Sequence, residues 1–213
     1  MNRQRQTRFT RYASRDPFHE IRFTRGTMNI RIAGFGGQGI VMAGYILGHA
    51  GILDGHNALQ TQSYGSESRG GVCKSDVIVT DGEIMELAPS DLDVLVVMSQ
   101  PALERYRPSL KKGGILIYDS DLVKATNGGI HAFGLPATDI AHKAFGRNVA
   151  ANAVMLGCLA ALTGVASRDS LRQAISEAVP PKTVDMNLAA FENGFTGGAD
   201  HERHAAEQND RSS

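Results

Sequence analysis

The feature that most constrains this chain is Gly34-Phe35-Gly36-Gly37-Gln38-Gly39, set between an apolar run, Ile30 to Ala33, and a helical stretch, Ile40 to Leu53. Such a run of glycines demands a backbone path that side chains would block. The strand–turn–helix context gives Gly34, Gly36 and Gly39 the GxGxxG spacing of a phosphate-binding turn, with helix N–H groups aimed at an anion. The plain alternative is that the glycines only let strand, turn and helix pack closely. In a dinucleotide fold a carboxylate ends the second strand and binds a ribose. Here that region reads Thr61-Gln62-Ser63-Tyr64, with no acid before Glu67, and Asp54 falls too early. The NAD reading is therefore the minor one, kept as a stand-alone NAD(P)-binding regulatory or structural protein.

The rest of the chain repeats the same alternation. Strands are expected at Ala58 to Tyr64, Val72 to Thr80, Leu92 to Met98, Ile115 to Tyr118 and His131 to Leu135. Asp81-Gly82 suggests a hairpin that pairs Glu83 to Leu87 with the strand before it. Helices are expected at Pro101 to Leu110, from Pro136 toward Phe145, Asn148 to Val165 (the longest), Asp169 to Val179 and Val184 to Phe195, with a polar, frayed tail after Gly197. Alternating strands and helices predict one α/β domain with a mostly parallel sheet flanked by helices and a Rossmann-like glycine turn. Its span is 28–197, between a basic extension, 1–27, and a polar tail, 198–213.

Composition narrows the function. Lysine plus arginine equals aspartate plus glutamate at 22 each, which excludes a surface built wholly for nucleic acid, and Trp is absent. Cys73 and Cys158 are the two cysteines, too few for a four-thiolate zinc or iron–sulfur site. Asn148 through Ser167 carries no charge, but it is built from Ala, Asn, Gly, Cys and Thr and reads as a packed helix, not a membrane span. Residues 1–27 hold seven arginines against Asp16 and Glu20. They read as a solvated tail, a docking arm, or sequence upstream of a start at Met28, in preference to an organellar targeting segment, and as dispensable for folding. His49, His56, His131 and His142 have no metal-ligand spacing. Ser99 and Asp119 follow strands at the same sheet edge as the glycine turn and suit capping or ligand contact. Asn148 and Asn152 share a helix face, fit for a buried polar contact with a partner or for local bonding.

The second glycine cluster is Tyr64-Gly65-Ser66-Glu67-Ser68-Arg69-Gly70-Gly71. The run reads equally as a functional loop or a tight turn; Arg69 can grip phosphate or carboxylate bidentately, and Glu67 can orient it or meet a thiazolium, amine or hydroxyl of a cofactor. Together with Gly34–Gly39, this cluster resembles the gamma component of 2-oxoacid:ferredoxin oxidoreductases. The likeness extends through Ser75-Asp76-Val77-Ile78, Asp93 to Gln100, Gly113 to Asp119 and Asn148 to Gly157, over roughly 29–190. The form of the cluster resembles both the 2-oxoglutarate and the pyruvate types; the overall wording is nearest the 2-oxoglutarate type, with aryl 2-oxo acids such as phenylglyoxylate the other substrates the resemblance allows.

The resemblance implies oxidative decarboxylation of a 2-oxo acid to an acyl-coenzyme A, with electrons passed to ferredoxin. It implies thiamine diphosphate and 4Fe–4S clusters in alpha, beta and ferredoxin-like delta partners, none held by this chain. It implies a cytoplasmic heteromeric complex in which this chain has no catalytic residue, no nucleic acid and no membrane span. The residues expected at cofactor or subunit contacts are Gly34, Gly36, Gly37, Gln38, Gly39, Tyr64, Glu67, Arg69, Gly70 and Gly71. Gly36→Val is expected to harm the turn and the fold.

Overall fold

Val, Ile and Leu dominate the short runs that become strands, and the longest apolar ones are buried on both faces, as in parallel sheets. The computed structural model describes residues 26–64, 71–126, 130–146 and 148–210, except for the side chains of 148 and 201–210. In chain order the elements are β1 (Thr27–Phe35), α1 (Ile40–Leu53), β2 (Asn57–Ser63), β3 (Val72–Thr80), β4 (Leu92–Val97), α2 (Gln100–Tyr106), β5 (Leu110–Asp119), β6 (His131–Leu135), α3 (Ala137–Phe145), α4 (Ala151–Thr163), α5 (Arg168–Ala178) and α6 (Val184–Asp210). Short 3-10 turns precede β5, α4 and α6.

The strands form one sheet in the order β2-β3-β1-β4-β5-β6. β1, β4, β5 and β6 pair in parallel, while β3 runs antiparallel to both β1 and β2. The molecule is a single α/β domain with a mixed, largely parallel sheet flanked by helices. One face of the sheet carries the main core, where Ile30, Ile32, Val77, Val94 and Ile115 meet α1, α3, α4, α5 and α6. The other face is thinly covered. There Ala33, Leu95 and Leu116 pack against Leu103 and Tyr106 of short α2.

Arg31 is the lone charge within the first apolar run, and its position explains the exception. It points to the α2 face and donates to both carboxylate oxygens of Asp76 on β3, at 2.5 and 3.0 Å, and to the Pro89 carbonyl at 3.3 Å. The Tyr106 ring lies 4.9 Å from its guanidinium carbon. Lys74 adds a second cation to Asp76 at 2.7 Å. A strand slip by one residue would turn Arg31 into the apolar core, so the pair pins the β1–β3 register.

Two expectations fail. Glu83 to Leu87 forms no strand and no hairpin. Gly82 is instead held by Thr80 and Asn57, and the chain turns away from the sheet. The last helix does not stop at Phe195, and no frayed tail begins at Gly197: α6 runs to Asp210 and is longer than α4. Its glycines lie on tight contacts. A Cβ at Gly194 would stand 1.8 Å from the Val154 carbonyl oxygen, and one at Gly198 2.8 Å from the Ala161 Cβ.

Candidate functional site

The carboxyl ends of β1, β4, β5 and β6 lie along one edge, and the glycine turn sits where β1 meets β4. The chain leaves β1 through α1 toward β2, and leaves β4 through α2 toward β5, on opposite sheet faces. That divergence makes the β1–β4 boundary the switch point where α/β sheets open a crevice.

Gln38 spans the crevice. Its side-chain oxygen accepts from the Phe35 N–H at 2.6 Å, and its amide donates to the Met98 carbonyl at 2.8 Å. The glycines divide into two kinds around it. A Cβ at Gly34 would lie 2.4 Å from the Gln38 oxygen, and one at Gly39, where φ is +76°, 2.3 Å from the Asn152 amide. Asn152 is buried at the start of α4 and donates back to the Gly39 carbonyl at 3.3 Å. Thus Gly34 and Gly39 serve packing. Gly36 meets nothing within 4 Å and has no positive φ. The Cβ of a side chain at Gly36 would thus face open space, so the turn itself gives no steric reason at that atom for Gly36→Val to harm the fold. Gly37 also faces open space but requires φ +92°.

Two cavities flank the turn. The one on the α1 side holds about 720 Å³ and is lined by Gly36, Gly37, Tyr45, Gln60, Tyr64 and Glu177, among others. Its rim is apolar and open: Met42, Tyr45 and Tyr64 are 40%, 50% and 65% exposed. The second, of about 580 Å³, lies between the turn, Met98, Thr138 and His142. Of the predicted site residues, the structure brings Gly36, Gly37, Gln38, Gly39 and Tyr64 to these walls. Gly71 is half-buried at the start of β3, while Glu67, Arg69 and Gly70 lie outside the described residues. Tyr45, Gln60 and Glu177 were missed. The signal was α1 itself, fourteen residues without a charge, whose outward face is therefore apolar.

Other candidates resolve to structural roles. Ser99 caps α2, accepting from the Ala102 N–H. Asp119 is fully buried and accepts from the Thr138 hydroxyl at 2.5 Å and the Asp121 N–H at 3.1 Å. Burial pushes its carboxyl above the usual range, against the pull of those hydrogen bonds. Asp54 accepts from Ser167 and Ser170 and holds the start of α5, away from any ribose position. His49 faces Glu177 at 3.4 Å and His56 faces Asp81 at 2.7 Å. Among the described residues no three His, Cys, Asp or Glu side chains converge for a metal. Burial pushes the Cys73 and Cys158 thiols up, so neither is a ready thiolate. Among the described residues, no helix is long and apolar enough to cross a membrane.

Fold and edge together define an α/β protein with open glycine backbone between two cavities at the switch point. Residues 29–197 match the family described as pyruvate ferredoxin/flavodoxin oxidoreductase. The chain belongs to that family, and within it to the gamma-subunit type. It is 43% identical over 170 residues to the 2-oxoglutarate synthase subunit KorC of Methanocaldococcus jannaschii, covering 78% of this chain and 91% of that one. The KorC subunit of Methanothermobacter thermautotrophicus is 44% identical over 173 residues, 78% and 92% of the two chains. The gamma subunit of a keto/oxoacid ferredoxin oxidoreductase from Geobacter sulfurreducens superposes with a TM-score of 0.74 at 40% identity, covering 81% and 97%.

Proposed function

We propose that this chain is the gamma component of a cytoplasmic, heteromeric oxidoreductase that converts 2-oxoglutarate and coenzyme A to an acyl-coenzyme A and passes electrons to ferredoxin. The observation that carries the substrate is the near full-length match to subunits of 2-oxoglutarate synthases. Thiamine diphosphate and 4Fe–4S clusters belong to alpha, beta and delta partners under this reading. The chain's two cysteines cannot supply a cluster's four thiolates. The carbanion and redox chemistry is supplied by those partner-held groups; this chain binds and orients.

The glycine turn, read as Rossmann-like, and the Tyr64–Gly71 segment form its working edge. Support comes from Gly36, a position with room for a side chain that the fold leaves bare. A bare backbone beside a 720 Å³ cavity suits close approach of a ligand or a partner subunit. The exposed Met42, Tyr45 and Tyr64 suit an interface that loses water on assembly. Gly34, Gly37, Gln38 and Gly39 hold the turn, while Glu67 orients Arg69 toward a coenzyme A phosphate or a partner carboxylate, with Gly70 and Gly71 giving the backbone room.

The test is isolation of the untagged complex from the source cell, native mass spectrometry, and turnover with 2-oxoglutarate against pyruvate. Arg69→Ala in the reconstituted complex should raise the KM for coenzyme A or weaken subunit binding by about 30-fold or more, as loss of a buried charged contact does. A lone chain carrying NAD, or an Arg69→Ala complex equal to wild type in both readouts, would sink the respective half of the proposal.

A further inference from the structure

The segment between β3 and β4, once expected to be a hairpin strand, is the most exposed apolar feature among the described residues. Met85 and Leu87 are 85% and 74% exposed. Glu83 and Glu86 stand beside them, both exposed and without an ion pair among the described residues. The arm is not loose at its ends. Asn57 holds the Gly82 carbonyl at 2.9 Å, and Arg31 holds the Pro89 carbonyl at 3.3 Å. A loop anchored at both ends that presents two large apolar side chains to water is a surface shaped for contact.

Across α2 lies its chemical complement. A groove of about 710 Å³ runs between α2 and the start of β5, with Leu103 and Leu110 in its lining. Arg107, Lys111, Lys112 and Lys124 line it against one carboxylate, Glu104. Lys111 is engaged by Asp93 at 2.7 Å and Arg107 by Thr126 at 3.0 and 3.3 Å. Lys112 and Lys124 are exposed and have no side-chain partner among the described residues. The groove therefore offers two available cations over an apolar lining. The arm offers two available carboxylates around Met85 and Leu87.

We propose that two copies of this chain associate reciprocally, the 83–87 arm of each seated in the groove of the other. The arm stands off the sheet, tied to β1 through the contact of Arg31 with Pro89, and the groove lies on the β5 side of α2. A two-fold axis beside α2 lets both contacts form at once and closes the assembly as a dimer. The cations are long, exposed side chains, not fixed backbone donors, which suits steering of an acidic surface more than capture of a small anion. The contact lies on the α2 face, away from the cavity at Tyr45, so its outcome is independent of the function proposed above.

The experiment uses the full chain in native mass spectrometry and sedimentation velocity. Wild type should dimerise in about 0.1 M salt and dissociate near 1 M, where the screening length falls from about 10 to about 3 Å. Glu83→Lys with Glu86→Lys should be monomeric, and so should Lys112→Glu with Lys124→Glu. Mixed in equal amounts, the two reversed variants should form a one-to-one heterodimer, because both contacts regain opposite charges. Met85→Asp should weaken the wild-type dimer at least tenfold. A wild type that stays monomeric to about 100 µM, well above the concentration a specific contact needs, overturns the proposal. So do reversed variants that still self-associate, a mixture that does not pair, or inorganic pyrophosphate binding the groove while the chain remains monomeric.

Discussion

Gly36 and Gly39 look alike in the sequence, yet their surroundings assign them opposite tasks. Gly39→Ala must place a Cβ 2.3 Å from the Asn152 amide at φ +76°, and should cost at least about 2 kcal/mol of stability. Gly36→Ala meets nothing within 4 Å and should change stability by less than about 0.5 kcal/mol. Thermal melts of the two variants check this, and equal losses would erase the distinction. Titration gives a second prediction at this scale. Burial raises the Asp54 carboxyl, but hydrogen bonds from Ser170 and Ser167 outweigh it and hold the group below the usual range. Glu192 is likewise lowered, its burial outweighed by bonds from Arg168 and Arg172. Both contributions are full above the unfolded carboxylate pKa of about 4 and fade as pH falls through the lowered folded values. Asp119, raised by burial, works the other way: its contribution is present at low pH and fades as pH rises through the raised value. Asp54→Asn should therefore lower the Tm at pH 7 yet flatten its fall between about pH 5 and pH 2. A parallel downward shift of the whole curve would show that the charge of Asp54 plays no part.

Among the elements, legibility follows how local each signal is. α1 and β3 begin and end where glycine turns and apolar alternation place them, since both signals are written in neighbouring residues. α6 runs past the expected end at Phe195, where the polar stretch after Gly197 reads locally as a tail, and it does so across Gly194, Gly197 and Gly198. Their reason is tertiary: Gly157 and Gly194 let α4 and α6 approach until a Cβ on either would lie 2.0 or 1.8 Å from the facing carbonyl oxygen. Glu83 to Leu87 misled for the reverse cause, its turn signal and alternation finding no strand edge to join. At the glycine edge the turn was legible, but Tyr45, Gln60 and Glu177 reach one cavity from three separate elements, and no spacing encodes that. Gly157→Ala and Gly194→Ala should each cost about 2–3 kcal/mol, since flat backbone cannot yield as a rotamer does. Urea titration should show a lower midpoint with an unchanged slope. A midpoint like wild type's would mean the helices part without cost.

At the scale of the whole molecule, the sheet carries a deep core on one face and a thin layer on the other. Strand β1 begins at Thr27, whose hydroxyl meets that of Thr80 at 2.8 Å. Truncation to Met28 removes this last rung and should leave the Tm within a few degrees, about 1 kcal/mol for a domain of this size. Differential scanning calorimetry checks it. A fall of more than about 3 kcal/mol would mean that residues 1–27 are packed, and normal stability with lost assembly would make them a docking arm.

The seating of α6 against α4 has a consequence for how the protein is made. Phe191 is fully buried and Ala190 lies beside it in the main core, so the layer that seals α4 is encoded well after the helix it covers. While the ribosome still holds that stretch, α4 shows the nascent chain's surroundings a bare apolar flank that only α6 can cover. Folding of this domain thus waits on the synthesis of α6, and a message broken before the codons for Phe191 yields a polypeptide destined for chaperones and proteases.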